Sequence, residues 1–336
     1  VKNPKETEFL LKFKVSSRKA EQKRKSLEQE GHHIPAFLIS SITHSCNLFC
    51  KGCYARENKI CGEENKMSLL ESSDWGNIFQ QASDIGIGFN LLAGGEPLQR
   101  KDVILLAATM KNTIFPIFTN GILIDDFYVN LFDENRNLIP ILSIEGNEKT
   151  TDERRGDGIY KKVIQSMNRL KDMKILFGAS ITVTTANLKE ITSHTFIDRL
   201  MNLECRLIFF IEYVPVDEQT RNLAFTEKER NEFEKILNDL RRLYRSVLFL
   251  SFPGDEESMG GCLAAGRGFF HINPYGAAEA CPFSPYSDCN LKKSTLLEAL
   301  KSPFFTKLKE HGLVGSEHVG GCSLFEQEEK VKALCE

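Results

Sequence analysis

The chain has 336 residues, enough for one large α/β domain with an appendage or for two modest domains. A hydrophobic share of 41% and a charged share of 26% fit a globular protein, and a net charge of -3 argues against a nucleic-acid binder driven by bulk electrostatics, though not against a local basic groove. No apolar run is long enough to span a membrane, and the opening VKNPKETEFLLKFK lacks the apolar core and cleavage site of a secretion signal, so the expected compartment is the cytoplasm.

Residues 1–35 are polar and charged, as in SSRKAEQKRKSLEQEGHH, and read as an N-terminal helical extension, too short for a leader-recognition domain. From residue 36 strands and helices alternate. AFLISSIT is a strand; MSLLESSDWGNIFQQASDIG is a helix that Ser68 is expected to cap with Glu71; FNLLAGGEP is a strand running into a glycine turn. KDVILLAATMKN and DDFYVNLFDEN are helices flanking the strand IFPIFTNG. LIPILSIEG, ILFGASITVT and RLIFFIEYVPV are strands, separated by the helices GIYKKVIQSMNRLKDM and LKEITSHTFIDRLMNL. FTEKERNEFEKILNDLRRLYR is a long helix, and SVLFLSF is a candidate for one more strand. About six strand–helix units imply right-handed crossovers and a parallel sheet, open or closing toward a barrel, with chemistry at the C-terminal strand ends. Beyond residue 255 the composition turns to Gly, Pro and Cys: GRGFFHINPYGAAEACP reads as a hairpin turning at Asn273–Gly276, and TLLEALKSPFFTKLKEH as one helix. The expected division is a 1–35 extension, a 36–255 core and a small metal-stapled module over 256–336.

Ten cysteines in a reducing compartment argue for metal binding or redox chemistry over disulfides. Four lie between residues 46 and 61 and five between 262 and 335, as two metal sites would require; Cys61 and Cys205 have no partners at useful spacing and read as ordinary thiols. Cys46, Cys50 and Cys53 follow the first strand in SCNLFCKGCYAREN. Three thiolates this close wrap one face of a soft-metal centre, and the lack of a local fourth suggests an iron–sulfur cubane with one iron left open, rather than a four-ligand zinc site.

That C-x-x-x-C-x-x-C spacing after the first strand of a repeating β/α chain resembles the radical S-adenosylmethionine (radical SAM) superfamily over roughly residues 36–255. The resemblance implies a partial (β/α)6 TIM-like barrel in which Cys46, Cys50 and Cys53 hold a [4Fe–4S] cluster whose open iron binds S-adenosylmethionine. Many members carry an aromatic residue just before the third cysteine; here Gly52 stands there and Tyr54 just after. AGGEP, ending in Gly94, Gly95, Glu96 and Pro97, resembles the segment that hydrogen-bonds the methionine ammonium. FTNG, with Asn120, and LSIEG, with Ser143 and Glu145, close the next two strands and resemble the places where the family sets polar and acidic groups for the ribose and methionine. Ser180 and Thr182 follow on the fifth strand, and Arg155, with Arg154 as an alternative, resembles a position that reaches the ligand carboxylate. Glu212, Tyr213 and Asp217, at the end of the sixth strand, are expected to face substrate.

CLAAGRGFFHINPYGAAEACPF resembles the opening of the SPASM extension and of its shorter relative, the twitch form. This resemblance implies one auxiliary [4Fe–4S] cluster on Cys262, Cys281 and Cys322, with Cys335, Cys289 or an open site as the fourth position. A structural zinc at the same cysteines is the alternative. Together the resemblances imply reductive cleavage of S-adenosylmethionine to a 5′-deoxyadenosyl radical, hydrogen abstraction from a peptide or small molecule with net oxidation, and an electron donor such as flavodoxin or ferredoxin. A radical SAM transferase, for instance a methyltransferase, and a non-catalytic zinc-stapled binding protein are the other readings.

Overall fold

The computed structural model describes residues 3–58, 61, 68–215, 218–315 and 322–336. Seven parallel strands run in chain order: β1 (Phe37–Thr43), β2 (Phe89–Gly94), β3 (Phe115–Thr119), β4 (Leu138–Ser143), β5 (Gly178–Val183), β6 (Leu207–Glu212) and β7 (Leu248–Phe252). Each pairs with its sequence neighbour, the result expected when every crossover is a right-handed helix of similar length. The candidate strand SVLFLSF is β7, so the parallel run extends one strand beyond six. Two short strands, β8 (His271–Ile272) and β9 (Ala278–Glu279), form the expected hairpin, with Gly276 N–H donating to Asn273 O at 3.0 Å in its turn.

The sheet curls. In a flat sheet, backbones three strands apart lie about 14 Å apart, and side chains perpendicular to it cannot meet. Phe118 of β3 and Phe209 of β6 bring their rings to 5.1 Å across the concave face. That face also carries Ile139 and Ile141 of β4 and Leu207 of β6. Residues of opposite parity, such as Leu138 and Leu142, pack outward against the crossover helices.

The N-terminal extension is a 26-residue helix, Pro4–Gln29, and it packs against the barrel. Phe9 and Phe13 enter the concave core, where Phe13 meets Phe89 edge-on at 5.4 Å. Glu6, buried, pairs with the buried Arg136 at 3.2 Å, and Asn3 donates to Lys174 O at 3.1 Å. These contacts fall on the segments leading into β2, β4 and β5, so the helix closes the N-terminal end of the barrel and leaves the C-terminal strand ends for the site.

Three local expectations change. The helix Ser72–Asp84 is capped by Glu71 with Asp74, whereas Ser68 receives Lys292 Nζ at 2.8 Å. LKEITSHTFIDRLMNL is broken into Leu188–Ile191 and His194–Asn202, because Ser193 caps a new start by accepting from Phe196 N. TLLEALKSPFFTKLKEH is broken into Leu296–Leu300 and Pro303–Glu310, because Pro303 lacks the N–H to continue a helix and suits a first turn after the Ser302 cap.

The C-terminal segment extends the main sheet and core. β8 pairs parallel with β1, Ile39 opposite His271, and Phe269, Phe270, Phe304 and Phe305 belong to the same hydrophobic cluster as β1 and β2. A buried relay fastens it: Ser41 Oγ lies 2.7 Å from His271 Nε2, whose Nδ1 lies 2.7 Å from Glu279 Oε2. Among the described residues no helix is long and apolar enough to cross a membrane.

Candidate active site

β1 ends at Thr43 and delivers the chain to Cys46, Cys50 and Cys53, all half-buried and close enough for their thiolates to repel one another. Burial pushes the Cys46 thiol up to about 11, with Glu96 and the other two cysteines adding to the rise. The loop is pinned at many points. Lys51 N–H donates to Arg154 O at 2.9 Å, Arg56 donates to Leu48 O at 2.6 Å while covering the Phe49 ring, and Asn120 Nδ2 donates to Asn47 Oδ1 at 2.8 Å. Cys61 also packs here, beside Cys46, Cys53 and Tyr54, although its spacing carried no signal. Cys205 is buried elsewhere, its thiol donating to Leu207 O at 3.3 Å.

The two glycines of AGGEP have a concrete cause. A Cβ on Gly95 would lie 2.0 Å from Ser45 O, and one on Gly94, at φ +121°, would lie 2.4 Å from Thr43 O. The close approach they permit is thus to the backbone of the cysteine loop. It brings Glu96 beside that loop, where the Glu96 N–H donates to Ser45 O at 2.8 Å. The Glu96 side chain is buried and accepts from Thr119 Oγ1 (2.7 Å), Leu98 N (3.0 Å) and Asn120 N (2.8 Å). Burial raises its pKa against those three donors. A carboxylate has about four acceptor sites, so one remains for a further donor.

Glu145, just past β4, is 1% exposed and forms the electrostatic centre of the opposite wall. It binds Arg155 at 2.6 Å and Arg154 at 3.2 Å, and accepts the Thr182 N–H at 2.9 Å. Burial pulls the Arg155 guanidinium down, but Glu145 and Cys50 more than offset it, and its Nη1 points at Cys50 Sγ, 3.8 Å away. Ser143 and Ser180 face each other in register across β4 and β5. The structure therefore brings Cys50, Arg154, Arg155, Glu145 and Thr182 into one contact group, and Cys46, Glu96 and Asn120 into a second that adjoins it.

Tyr54 and Tyr213 are placed differently from one another. Tyr54 turns its half-buried ring edge-on to Phe283 at 5.0 Å, toward the C-terminal segment. Tyr213 lies against Gly52: a Cβ there would meet Tyr213 Oη at 2.7 Å, and the Tyr213 hydroxyl, shielded from solvent, has no hydrogen-bond partner among the described residues. Gly52, at φ +62°, is thus explained by the ring that β6 sends against it. Glu212 is buried and pairs with Arg230 at 3.4 Å, beside Ser251 and Gly254. Asp217 lies outside the described residues.

Burial pushes the Glu212 carboxyl up to about 7, against the pull of Arg230. The folded state therefore holds this proton more tightly than the unfolded chain, so the contribution of Glu212 to stability is greatest below the ordinary value of 4.5 and falls as pH rises toward 7. Glu212→Gln is expected to lessen that fall, by at most about 1.4 kcal/mol per pH unit. Glu256, beside it and also pushed up to about 7 by burial, keeps its own share. Urea midpoints of the Glu212→Gln protein and its parent, both freed of iron, across this range check the slope; a fall as steep as the parent's would assign the pH dependence elsewhere.

In the C-terminal segment Cys262, Cys281 and Cys322 come together, each thiol raised chiefly by burial and further by its neighbours. Cys335 lies beside Asp288, Ser287 and Lys307, and Cys289 beside Ser294, Asp288 and Glu298. Among the described residues no three Cys, His, Asp or Glu side chains close tightly enough to hold a single metal ion. Buried thiols brought together in this way are soft donors of the kind that ligate an iron–sulfur cluster or a zinc ion.

The Radical SAM superfamily model matches residues 40–198. The Bacillus subtilis (strain 168) sporulation killing factor maturation protein SkfB is 27% identical over 164 residues, 48% of this chain and 38% of that protein, so the match spans well under half of the relative's length. The AdoMet-dependent heme synthase of Methanosarcina barkeri (strain Fusaro / DSM 804) is 24% identical over 330 residues, 90% of this chain and 91% of that one. Streptococcus suis SuiB, solved bound to the precursor peptide SuiA, superposes with a TM-score of 0.68 at 17% identity, covering 87% of this chain and 71% of its own, which is a likeness of fold. With three cysteines after β1 and a GGEP turn after β2, residues 40–198 of the chain match the radical SAM domain of that superfamily.

Proposed function

We propose that this chain is a radical SAM oxidoreductase that abstracts hydrogen from a peptide, with one auxiliary [4Fe–4S] cluster. The observation that carries the reading is the meeting, at the C-terminal strand ends, of the Cys46–Cys50–Cys53 loop with Glu96 on one side and the Arg154–Arg155–Glu145 group on the other. When bound, the [4Fe–4S] cluster supplies the electron that cleaves S-adenosylmethionine to methionine and a 5′-deoxyadenosyl radical. Cys46, Cys50 and Cys53 would hold it. Glu96, with an acceptor site to spare, would receive the methionine ammonium, and Arg155 would present its guanidinium to the methionine carboxylate. Asn120, Ser143, Ser180 and Thr182 would supply polar groups for the ribose, and Tyr54 an aromatic wall. Glu212, Tyr213 and Asp217 would face substrate. The curled sheet and the helix that closes its far end would help to keep water from the reacting carbon, which is the protein's main task in such chemistry.

Cys262, Cys281 and Cys322 would hold the auxiliary cluster, which would supply an electron acceptor for a net oxidation. Flavodoxin or ferredoxin would feed the first cluster, and the cytoplasm suits both. The peptide class takes its support from the maturation protein and from the precursor-bound structure. The relative aligned along nearly the whole chain supports a tetrapyrrole as second reading. Anaerobic reconstitution, followed by dithionite and S-adenosylmethionine, is expected to yield 5′-deoxyadenosine from a protein with about eight irons per chain. Zinc in place of iron with no cleavage would refute the reading. Loss of two hydrogens from substrate, against gain of a methyl group, separates oxidation from transfer.

A further inference from the structure

Glu256 sits in the turn Gly254–Met259 that follows β7, six residues before Cys262. It is 4% exposed, and its Oε1, shielded from solvent, has no hydrogen-bond partner among the described residues. The Cys262 thiol and the Leu263 N–H lie within hydrogen-bonding reach of the carboxylate, and Cys281 and Cys322 both feel its charge. The backbone holds this side chain in place. Glu256 N–H donates to Pro253 O at 2.7 Å, Gly261 N–H donates to Glu256 O at 2.9 Å, and Asp255 is fastened to Arg241 at 2.8 Å and to Ser251 N–H at 2.8 Å.

An acceptor oxygen buried without a donor is costly, more so on a charged group. The nearby cation, Arg267, spends its guanidinium on the carbonyls of Cys262 and Gly260. Three thiols and one carboxylate thus converge from separate segments, while Cys289 and Cys335 have other neighbours. Carboxylates and thiolates both ligate iron, the carboxylate as the harder donor. We propose that Glu256 is the fourth protein ligand of the auxiliary cluster, a claim that rests on the auxiliary-cluster reading above. The cluster is then closed by the protein: substrate does not bind its iron, and one iron differs from the other three through its oxygen ligand.

The test uses the full chain with Cys46, Cys50 and Cys53 replaced by alanine, reconstituted with ⁵⁷Fe, so that only the auxiliary iron is observed. Mössbauer spectra are expected to show about four irons per chain, about a quarter of the signal distinct from the rest. Glu256→Cys is expected to abolish that distinction. Glu256→Ala is expected to open the distinct iron to added 2-mercaptoethanol, which leaves the parent unchanged. Spectra indifferent to both substitutions, or a parent that responds to the thiol as Glu256→Ala does, would overturn the assignment while keeping the cluster. No iron in the parent would instead remove the auxiliary-cluster reading itself. Glu256→Gln, equal in shape and a poorer ligand, serves should alanine fail to fold; retention of the parent spectrum by it would count against ligation.

Discussion

Replacing Cys46, Cys50 and Cys53 together with alanine is expected to abolish 5′-deoxyadenosine formation and to lower the iron content from about eight to about four per chain. The loss should be complete rather than graded, because three ligands act as one unit and a cubane missing one of them is no longer held. The fold should survive. All three cysteines lie on a loop beyond β1, outside the main hydrophobic cluster, and the loop keeps its Lys51, Arg56 and Asn120 attachments. Iron by colorimetric assay, deoxyadenosine by chromatography and a thermal melt together check this. Residual cleavage in the triple variant would move the chemistry away from these cysteines.

Glu145→Ala is expected to cost about 3–5 kcal/mol of stability, since it strands charge that is buried with it. Glu145 is nearly inaccessible, Arg155 only 11% exposed and Arg154 19%, and one carboxylate answers both guanidiniums. Its second oxygen also leaves the Thr182 N–H unmatched when removed. Glu145→Gln should recover part of the loss by keeping the shape and one acceptor. Urea unfolding of the cluster-free protein measures both. A cost under about 1 kcal/mol, the range of an exposed pair, would mean that water reaches the pair in solution.

The strands and most crossover helices were legible because β-branched runs alternate with amphipathic stretches, and each strand pairs with its neighbour in sequence. Helix interruptions at Ser193 and Pro303 were missed: apolar periodicity continues across both, and only a cap or a missing N–H breaks it. The cysteine loop and GGEP were legible since each is a contiguous segment at one strand end. What those glycines approach was not, because Ser45 and Gly95 meet only once β1 and β2 pair. Glu256 carried no signal for the same reason. Its environment is assembled from Cys262, Cys281 and Cys322, of which the last is 66 residues away in the chain. Cys61 joins Cys46 and Cys53 only through the short helix Tyr54–Glu57 that turns the chain back.

The pairing of β8 with β1 bears on how the chain can be divided. A cut near residue 255 looks natural in the sequence, yet it would strip β1 of its partner on one side. The strand that carries the cysteine loop would become a sheet edge, with unpaired peptide groups and the apolar Ile39 and Ile42 beside them, a template for joining other copies. Ser41 would lose His271 at the same stroke. The strand that leads into the cysteine loop is therefore an interior strand only by courtesy of the C-terminal hairpin, and a shortened barrel ending there should be recovered as aggregate.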